Sequence, residues 1–476
     1  MQVINPAAAN PNATFVKWAT VLLPGIALFF FPLPGLTALQ GQLVAIFLAT
    51  IISLVVQPAP MGVSIVVAMT LLALTRTLPA AKVLSGFANV TVWLIFAAFL
   101  FAHAFTATGL GLRIGYLFIR QFARNPLTLG YSLAGANLLL APFIPSDTAR
   151  GGSVIFPITR SLCAAFGSSP GPAANIIGRF LILVGFHSTY VTSGLFLTSM
   201  AANPLIAEFA LKQAHVDLTW GRWLAGSIVP GLLTLSIVPW LLLKLTKPEI
   251  RDTAPARELA NKQLETMGPL KRSEKWLGAV MLGVMVGWVT SPLHGIPNTF
   301  VALAGLSVLL LAQVMTWDEL LAEKRAWDVL IWFAPLIMMS DALNEGGTIK
   351  ILSASLFGTL HGLPWLALLV ILSLTYLYIH YAFASMTAHA TALYPGFLAA
   401  LLAGGVPPML ASLVLAYFSN LDAGITHYGT GSAPVFFGPG YLTQREWWRV
   451  GFIVSVVNVT IWLVGGLAWW KLIGLW

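Results

Sequence analysis

The sequence predicts an all-α, polytopic membrane protein with about eleven transmembrane helices and two re-entrant hairpins. Of its 476 residues, 58% are hydrophobic and 9% are charged, whereas a soluble domain carries about 25% charged residues. Many apolar runs reach the roughly 20 residues that span a hydrocarbon core, and they are continuous, unlike the alternating strands of a barrel. We interpret the net charge of +9 as a topology signal and expect no nucleic-acid partner.

The order of apolar runs predicts the elements along the chain. Residues 126–166 and 364–403 are each long, and small and polar residues interrupt both stretches halfway. Irregular backbone at membrane depth is tolerated only where protein buries it or where it lines a wet cavity, so each stretch is predicted to be a re-entrant hairpin. The predicted crossings are 18–36, 41–57, 60–78, 90–112, 175–203, 219–243, 276–292, 298–315, 328–345, 408–438 and 446–470.

One long hydrophilic segment, 244–275, separates two halves and is predicted to be a solvated cytoplasmic linker. The first apolar run follows Lys17 and no basic leader, so it is predicted to be a retained helix. Basic residues at the crossing ends collect on the side of the linker, which predicts a cytoplasmic N-terminus and an outside C-terminus in the inner (plasma) membrane. The outer side receives only Arg76, Lys82, Lys212, Arg222, Lys350 and Lys471.

Two copies of one unit flank this linker. Sliding the chain on itself aligns VWLIFA (92–97) with VLIWFA (329–334), and a slightly larger shift aligns PSDTAR (145–150) with ASMTAH (384–389). Each hexamer falls at the break of a predicted hairpin. Because each unit has an odd number of crossings, the second copy is inserted upside down. Inverted repeats with interrupted segments indicate the binding site of a secondary transporter.

The two breaks have the chemistry of an anion site. A broken helix leaves backbone N–H groups unpaired, hydroxyls add neutral donors, and helix N-termini carry partial positive charge. Arg150 adds a fixed positive charge and His389 adds one that pH controls, so the pair suits a molecule with a carboxylate at each end. The alternative is structural: Arg150 would only fasten its own hairpin, and His389 would be a satisfied buried histidine.

Two further segments, 192–204 and 419–434, are rich in Gly, Ser and Thr within crossings. This composition is expected where a helix unwinds to line a site, although small residues at helix contacts also produce it. His187, His380 and Asp341 are assigned structural roles. The predicted substrate-binding residues are Ser146, Asp147, Thr148, Arg150, Ser385, Met386, Thr387, His389, Thr192, Ser193, Asn420, Asp422, Thr426, His427 and Thr430.

The chain resembles the divalent anion/sodium symporter family over essentially its whole length. The resemblance rests on PSDTARGGSVIFPI, HYAFASMTAHATALYP and SNLDAGITHYGTGSAPVFFGPGYL. It is greatest to an exchanger branch that includes bacterial citrate/succinate and tartrate/succinate antiporters and the plastid 2-oxoglutarate/malate translocator. The resemblance implies a homodimer that works as an elevator. It implies a scaffold in 1–125 and 276–363, a linker in 244–275, and transport segments in 126–243 and 364–476.

The resemblance also implies a Ser-Asn-Thr signature at the hairpin tips. Here Asp147 and Met386 replace the two asparagines, which disfavours a Na⁺ site, and neither a cofactor nor a metal ligand is predicted. Arg150 and His389 are similar to the exchanger pattern, in which a fixed cation replaces the charge of bound Na⁺. An empty carrier with an uncompensated charge resists crossing, so we expect obligatory exchange of di- or tricarboxylates.

Asp147 is the largest departure from the family pattern. An unpaired carboxylate would repel a substrate carboxylate and would be costly to bury. Three explanations stay open: a pair with Arg150 three residues later, a bound proton, or a changed substrate or cation. Asp422 is also unusual for the family and lies in the facing segment, which keeps proton coupling open.

Other function classes fit the sequence less well. A Na⁺- or H⁺-coupled dicarboxylate symporter is the nearest alternative and differs only in coupling. No repeated filter strand or charged ring indicates a channel, and no nucleophile with a positioned base indicates an enzyme. The single Cys163 excludes an internal disulfide, and no Cys or His cluster has zinc-ligand spacing. The expected partners are membrane lipid and a carboxylate such as succinate, malate, tartrate, 2-oxoglutarate or citrate.

Overall fold

The computed structural model describes residues 11–348, 351 and 362–476, and within these residues it contains helices and no β-strand. Lys350, counted above on the outer side, lies outside them. The helices are α1 (Pro11–Phe30), α2 (Ala38–Val56), α3 (Met61–Leu74), α4 (Ala80–Leu84), α5 (Val90–Thr108), α6 (Leu110–Phe122), α7 (Pro126–Leu140), α8 (Asp147–Arg150), α9 (Phe156–Ala165), α10 (Gly178–Leu195), α11 (Ala202–Ala214), α12 (Trp220–Thr246), α13 (Ala254–Met267), α14 (Arg272–Val289), α15 (Ser291–His294), α16 (Asn298–Leu311), α17 (Trp317–Ala322), α18 (Lys324–Glu345), α19 (Trp365–Ile379), α20 (Met386–Ala403), α21 (Pro408–Leu421), α22 (Ala433–Phe437), α23 (Gln444–Thr460) and α24 (Gly466–Leu472).

Every predicted crossing coincides with a helix or with a helix that is broken inside the crossing. Within the described residues, seven helices are long and apolar enough to cross a membrane, and three shorter apolar helices accompany them. The crossings at 175–203 and 408–438 are the broken ones, because α10 and α21 each end in irregular backbone before the next helix begins. The predicted class of an all-α polytopic membrane protein is confirmed.

Two compact units divide the chain. The first is formed by Met1–Val92 and Trp327–His361, and the second by Trp93–Ala326 and Gly362–Trp476. Within the first unit, α1 packs along α2. The second unit contains both predicted hairpins and both broken crossings, and therefore every residue of the predicted site. The division into scaffold and transport segments stays a prediction.

The two hairpins have the same construction. The first consists of α7, a break that includes a 3₁₀ turn at Ala141–Phe143, and an outgoing arm in which a π-helical turn at Gly151–Ile155 joins α8 to α9. Both of its arms pack on α10. The second hairpin consists of α19, a break that begins at His380–Ala382, and α20, and both of its arms pack on α21. Because α10 and α21 also pack on each other, the two repeats meet at their broken helices.

A serine begins the outgoing arm at each hairpin tip. Ser146 has φ −142° and ψ 116°, and its Oγ accepts a hydrogen bond from the N–H of Ala149 at 3.1 Å. Ser385 has φ −151° and ψ 122°, and its Oγ accepts from the N–H of Ala388 at 3.3 Å. The two aligned serines therefore have the same backbone geometry and the same capping role. Each hydroxyl still has its own hydrogen to donate.

The predicted linker is more ordered than a solvated connector. It contains α13, which packs against α6, and Ala256 and Ala260 on one face of α13 are fully buried. Their spacing of four residues places two small side chains on one helix face. Arg113 on α6 donates to the carbonyl oxygens of Met267 and Gly268 at 3.3 and 2.8 Å, where α13 ends. The linker is therefore fastened to the bundle.

The bidentate pair between Arg113 and Glu274 completes this attachment. The Nε of Arg113 donates to Oε1 at 2.6 Å and its second terminal nitrogen donates to Oε2 at 3.1 Å. Both side chains are more than 90% buried. Burial alone would raise the pKa of Glu274, but the bonds and charge of Arg113 and the backbone N–H of Lys271 hold that pKa below its ordinary value.

We predict that Arg113→Gln lowers the thermal melting midpoint of the purified protein strongly, because it leaves Glu274 charged, buried and unpaired. Removing one partner of a buried pair costs about 3–5 kcal/mol. The exposed pair between Lys82 and Glu345, with atoms 2.9 Å apart, provides the control. Glu345→Gln is expected to change the midpoint little, because exposed pairs contribute about 0–1 kcal/mol. Equal shifts in the two variants would contradict this account.

The pH dependence of the same melting midpoint is a second prediction. A native pKa below the unfolded value means that Glu274 stabilises the protein above its unfolded pKa of about 4.3. This stabilisation disappears as the pH falls through the native pKa. The midpoint of the wild type should therefore fall on acidification more steeply than that of Glu274→Gln. Parallel pH profiles would show that the pair does not control this transition.

Candidate functional site

Arg150 lies at the centre of the first repeat, 0% exposed. All of its nitrogens donate hydrogen bonds, and each acceptor is a neutral oxygen. The acceptors are Asn137 Oδ1 at 2.6 Å, Ile144 O at 2.8 Å, Ser193 Oγ at 2.8 Å, Thr189 O at 2.9 Å, Thr192 Oγ1 at 3.2 Å and Ser199 O at 3.2 Å. In this geometry the guanidinium fastens the hairpin break to the broken helix, as the structural alternative described, and it has no donor left for a direct substrate contact.

Asp147 does not pair with Arg150. Its Oδ2 accepts hydrogen bonds from the hydroxyls of Thr430 and Ser432, the latter at 3.0 Å. Its Oδ1 accepts a longer bond from Thr148 at 3.4 Å. The carboxylate also lies in the first turn of a helix, where the backbone dipole favours negative charge. Asp147 is thus satisfied by hydroxyls, and it connects the first hairpin tip to the segment after α21.

The second hairpin places two histidines against Asp422. Nδ1 of His389 lies 2.8 Å from Asp422 Oδ2, and Nδ1 of His380 lies 3.2 Å from the same oxygen. All three side chains are at most 2% exposed. His380 also contacts the carbonyl oxygen of Gly429 through Nε2 at 2.7 Å. Two imidazoles and a carboxylate form a ligand set suited to a metal ion, and their ligating atoms all lie within 4.8 Å of one another.

Two asparagines join the broken helices of the two repeats. Nδ2 of Asn420 donates to Oδ1 of Asn203 at 2.9 Å. Nδ2 of Asn203 donates to the carbonyl oxygens of Ser193 and Phe196 at 2.8 and 3.0 Å. These are carbonyls from the end of α10, which the helix cannot satisfy itself. The site is therefore held across the repeat interface by side-chain amides.

The accessible part of the site is its rim of small polar residues. Thr148 is exposed, and Ser146, Ser385 and Thr387 are half-buried. Gly431 is exposed beside Thr148, and a Cβ at this glycine would lie 2.5 Å from the Thr148 Oγ1. Only glycine allows the unwound segment to approach the first tip so closely. Hydroxyls from both hairpin tips thus remain accessible.

The remaining predicted residues are arranged around this rim. Met386 and Thr426 are buried, and Asn420 is fully buried between the broken helices. His427 is half-buried, accepts a hydrogen bond from Nε1 of Trp448 at 3.1 Å, and contacts the ring of Phe437. Its Nδ1 is therefore occupied by an indole. The structural role predicted for His187 agrees with its bond to the Tyr190 hydroxyl at 2.7 Å.

Sequence reasoning did not include four residues that organise the site. Asn137 accepts from Arg150, Ser432 donates to Asp147, and Asn203 joins the repeats. His380 was assigned a structural role, although it contacts Asp422 together with His389. A search for buried polar residues at each break would have found Asn137 and His380, because Asn137 lies on the incoming arm of the first hairpin and His380 begins the break of the second.

A solved structure shares this fold. The Alcanivorax borkumensis YdaH transporter superposes with a TM-score of 0.54, covering 98% of this chain and 99% of that chain at 14% identity. This likeness shows the fold, with its two hairpins and the broken helices that meet between them. The matching family and the relatives described next show the class, which is a membrane transporter and not an enzyme. The family described as the sodium:sulfate symporter transmembrane region matches residues 12–476. The chain belongs to this family, the divalent anion/sodium symporters, as its motifs predicted.

Relatives within the family carry names that refer to dicarboxylates. The Bacillus subtilis protein YflS, whose name gives malate as a provisional substrate, is 48% identical over 95% of each chain. Dicarboxylate transporter 1 of Arabidopsis chloroplasts is 43% identical over 95% of this chain and 82% of its own. Dicarboxylate transporter 2 of spinach chloroplasts is 40% identical over 94% and 80%.

We predict that Asp147→Ala destabilises the protein, because it leaves the buried hydroxyls of Thr430 and Ser432 without their acceptor. An unpaired buried polar group costs about 1–3 kcal/mol. The melting midpoint should fall for Asp147→Ala and much less for Asp147→Asn, whose amide oxygen can accept both bonds. The exposed Asp217 offers a control, and Asp217→Ala should leave the midpoint unchanged. If Asp147→Ala and Asp147→Asn melt alike, the hydroxyl contacts do not contribute to stability.

Proposed function

We propose that this protein carries dicarboxylates across the plasma membrane by obligatory exchange, with the substrate held between the two hairpin tips. Names of relatives that refer to malate and dicarboxylates support the substrate class. Tricarboxylates such as citrate carry one further carboxylate, and we include them in the proposed substrate class. The predicted topology, with the N-terminus cytoplasmic and the C-terminus outside, completes the proposal.

One observation carries the proposal: the first tip and the second break meet on consecutive residues of a single unwound segment. Asp147 accepts from the Thr430 hydroxyl, and His380 contacts the carbonyl of Gly429. These contacts support assigning the rim hydroxyls of the two hairpins to one site. Each capping serine has a hydrogen to donate after its oxygen has accepted from the backbone. Paired donors on opposed tips are suited to a carboxylate at each end of a small molecule.

The charge of Arg150 supports exchange in preference to leak. The guanidinium is fully buried among neutral oxygens, so it acts on a substrate through its field and not through a direct bond. A cation in a weakly polar environment favours loading by an anion and opposes movement of the empty carrier. Asp147 and Met386 stand where the family signature has asparagine, which disfavours Na⁺ coupling. An elevator motion and a homodimer are part of this proposal by family resemblance.

Counterflow in proteoliposomes tests the exchange mechanism. Vesicles loaded with succinate or malate should take up labelled dicarboxylate without Na⁺, and vesicles without internal substrate should not. A panel that includes tartrate, 2-oxoglutarate and citrate would define the substrate class. Uphill uptake that requires only an inward Na⁺ gradient would instead identify a symporter.

We predict that Ser146→Ala raises the KM of this exchange about tenfold or more, because a hydrogen bond to a charged group contributes about 1.5–3 kcal/mol. The same substitution removes a helix cap, which costs about 0.5–2 kcal/mol of stability. Ser146→Thr keeps both the cap and the donor and should restore KM. Ser307→Ala is the matched control, because Ser307 is exposed on α16 and donates within its own helix. Unchanged KM in Ser146→Ala at normal protein levels would remove Ser146 from the substrate site.

Proton coupling is the second candidate, and the position of Asp147 favours it. This carboxylate stands beside the rim, where the family has a neutral amide. A bound proton would make the Asp147 side chain neutral as well. Exchange measured against pH in the wild type and in Asp147→Asn distinguishes the cases. Coupling through Asp147 predicts a pH dependence that Asp147→Asn abolishes. Identical pH profiles would exclude it.

A further inference from the structure

The cluster of His380, His389 and Asp422 has an arrangement that its protein contacts alone do not explain. His380 and His389 flank the second hairpin break, whereas Asp422 belongs to the segment after α21. Nδ1 of His380 and Nδ1 of His389 lie close to the same oxygen, Asp422 Oδ2, at 3.2 and 2.8 Å. The rings of Phe383 and Tyr376 border the cluster, 5.1 and 4.4 Å from the His389 ring centroid. The cluster is therefore buried beside aromatic rings.

The outer nitrogens of the two imidazoles determine where their protons lie. Nε2 of His380 lies 2.7 Å from the carbonyl oxygen of Gly429, and Nε2 of His389 lies 3.0 Å from the carbonyl oxygen of Tyr376. A carbonyl oxygen only accepts, so each Nε2 must carry the hydrogen. In a neutral imidazole Nδ1 then has a lone pair and no proton. Both of these nitrogens lie beside a carboxylate oxygen.

Three acceptors therefore converge in a buried space. Among the described residues, no hydrogen-bond donor reaches Nδ1 of His380, Nδ1 of His389 or either oxygen of Asp422. Buried polar atoms are normally hydrogen-bonded, and each exception requires an explanation. Acceptors that face one another at 2.8–3.2 Å repel unless positive charge lies between them. The geometry points to a bound cation.

The surrounding contacts match those of a metal site. Histidines that ligate metals characteristically donate their other ring N–H to a carbonyl or carboxylate, which fixes the ring and directs the lone pair inward. A tetrahedral ion with bonds of about 2.0–2.1 Å separates its ligand atoms by about 3.3 Å. The contact of His380 with Asp422 already has this spacing, and that of His389 would open by about half an ångström.

We propose that His380, His389 and Asp422 bind one divalent transition-metal ion of the zinc class. The two Nδ1 atoms and the Asp422 carboxylate are the protein ligands, and imidazole with carboxylate suits such ions. Three protein ligands leave a fourth position for water or an anion. The ligands come from both sides of the hairpin break and from the unwound segment, so the ion joins the second hairpin to the broken helix.

The proposed ion has a consequence for transport, and this part rests on the proposed function. Two neutral imidazoles, one carboxylate and a divalent ion sum to a single positive charge. The first hairpin contains one positive charge at the aligned position, that of Arg150. Each repeat would then hold one positive charge behind its tip, while the first tip also carries the Asp147 carboxylate. The substrate would therefore meet a more positive field at the second hairpin.

Metal binding can be measured on the purified full-length protein without any transport assay. The protein should be prepared with a tag that contains no histidine, stripped with dipicolinate, loaded with Zn²⁺ or Co²⁺ and desalted. We expect about one ion per chain by elemental analysis, because one cluster supplies the ligands. Bound Co²⁺ should show the intense visible bands of four-coordinate cobalt. Loading should also raise the melting midpoint of the wild type, and dipicolinate should reverse this rise.

Ligand variants and a matched control locate the ion. Asp422→Asn and His389→Gln should lower metal affinity about tenfold or more, since even outer partners of a ligand contribute 10- to 100-fold. His294→Gln should retain full binding, because His294 is exposed and bonds the carbonyl of Gly287. Gel filtration shows whether each variant is folded.

Failure of the wild type to retain Zn²⁺ or Co²⁺ would overturn the proposal. The positive charge beside Asp422 would then come from protonated imidazole. Equal retention by Asp422→Asn would overturn it as well. Neither result depends on whether the protein exchanges dicarboxylates.

Discussion

The constraint on which the rest of this structure depends is the need to satisfy backbone groups where helices break inside an apolar membrane protein. Lipid offers no hydrogen-bond partner, so every broken end must find one within the protein. In the first repeat Arg150 meets this need by donating to the carbonyls of Ile144 and Ser199, and it also donates to the carbonyl of Thr189 within α10. A guanidinium can do this because it has five donors in one rigid plane. The irregular backbone that forms the site exists because one buried cation fastens the hairpin break to the broken helix.

The second repeat solves the same problem with different chemistry. His380 and His389 use Nε2 to satisfy the carbonyls of Gly429 and Tyr376, so each imidazole provides a single backbone bond. The Nδ1 atoms of both rings make no backbone bond, and both lie close to Asp422. The aligned residues Arg150 and His389 thus share one function, which is to donate to backbone carbonyls near a helix break. They differ in the groups that surround their charge. Arg150 is surrounded by neutral oxygens, whereas His389 is matched to a carboxylate.

The sequence predicted what depends on composition and on local pattern. Apolar runs located the crossings, polar interruptions located both hairpin breaks, and the alignment of PSDTAR with ASMTAH located two serines with the same capping geometry. It did not predict contacts between distant segments. Asp147 lies three residues before Arg150, and this spacing suggested a local pair. The structure gives Asp147 the hydroxyls of Thr430 and Ser432 instead. Arg150 instead donates to residues of α10, and residue spacing along the sequence does not predict such a contact between distant segments.

The contacts of Asp147 limit how the first hairpin can recognise a ligand. Thr430 and Ser432 already donate to its carboxylate, so a substrate that used these donors would have to displace a buried negative charge. Displacement of that kind costs more than a neutral hydrogen bond returns. The donor left at the first tip is Ser146, at the accessible rim, because Thr148 already donates to Asp147. Under the proposed function, recognition there rests on a neutral hydroxyl supported by the field of a buried guanidinium. This combination favours a small, flexible carboxylate over a ligand that needs several directed charged contacts.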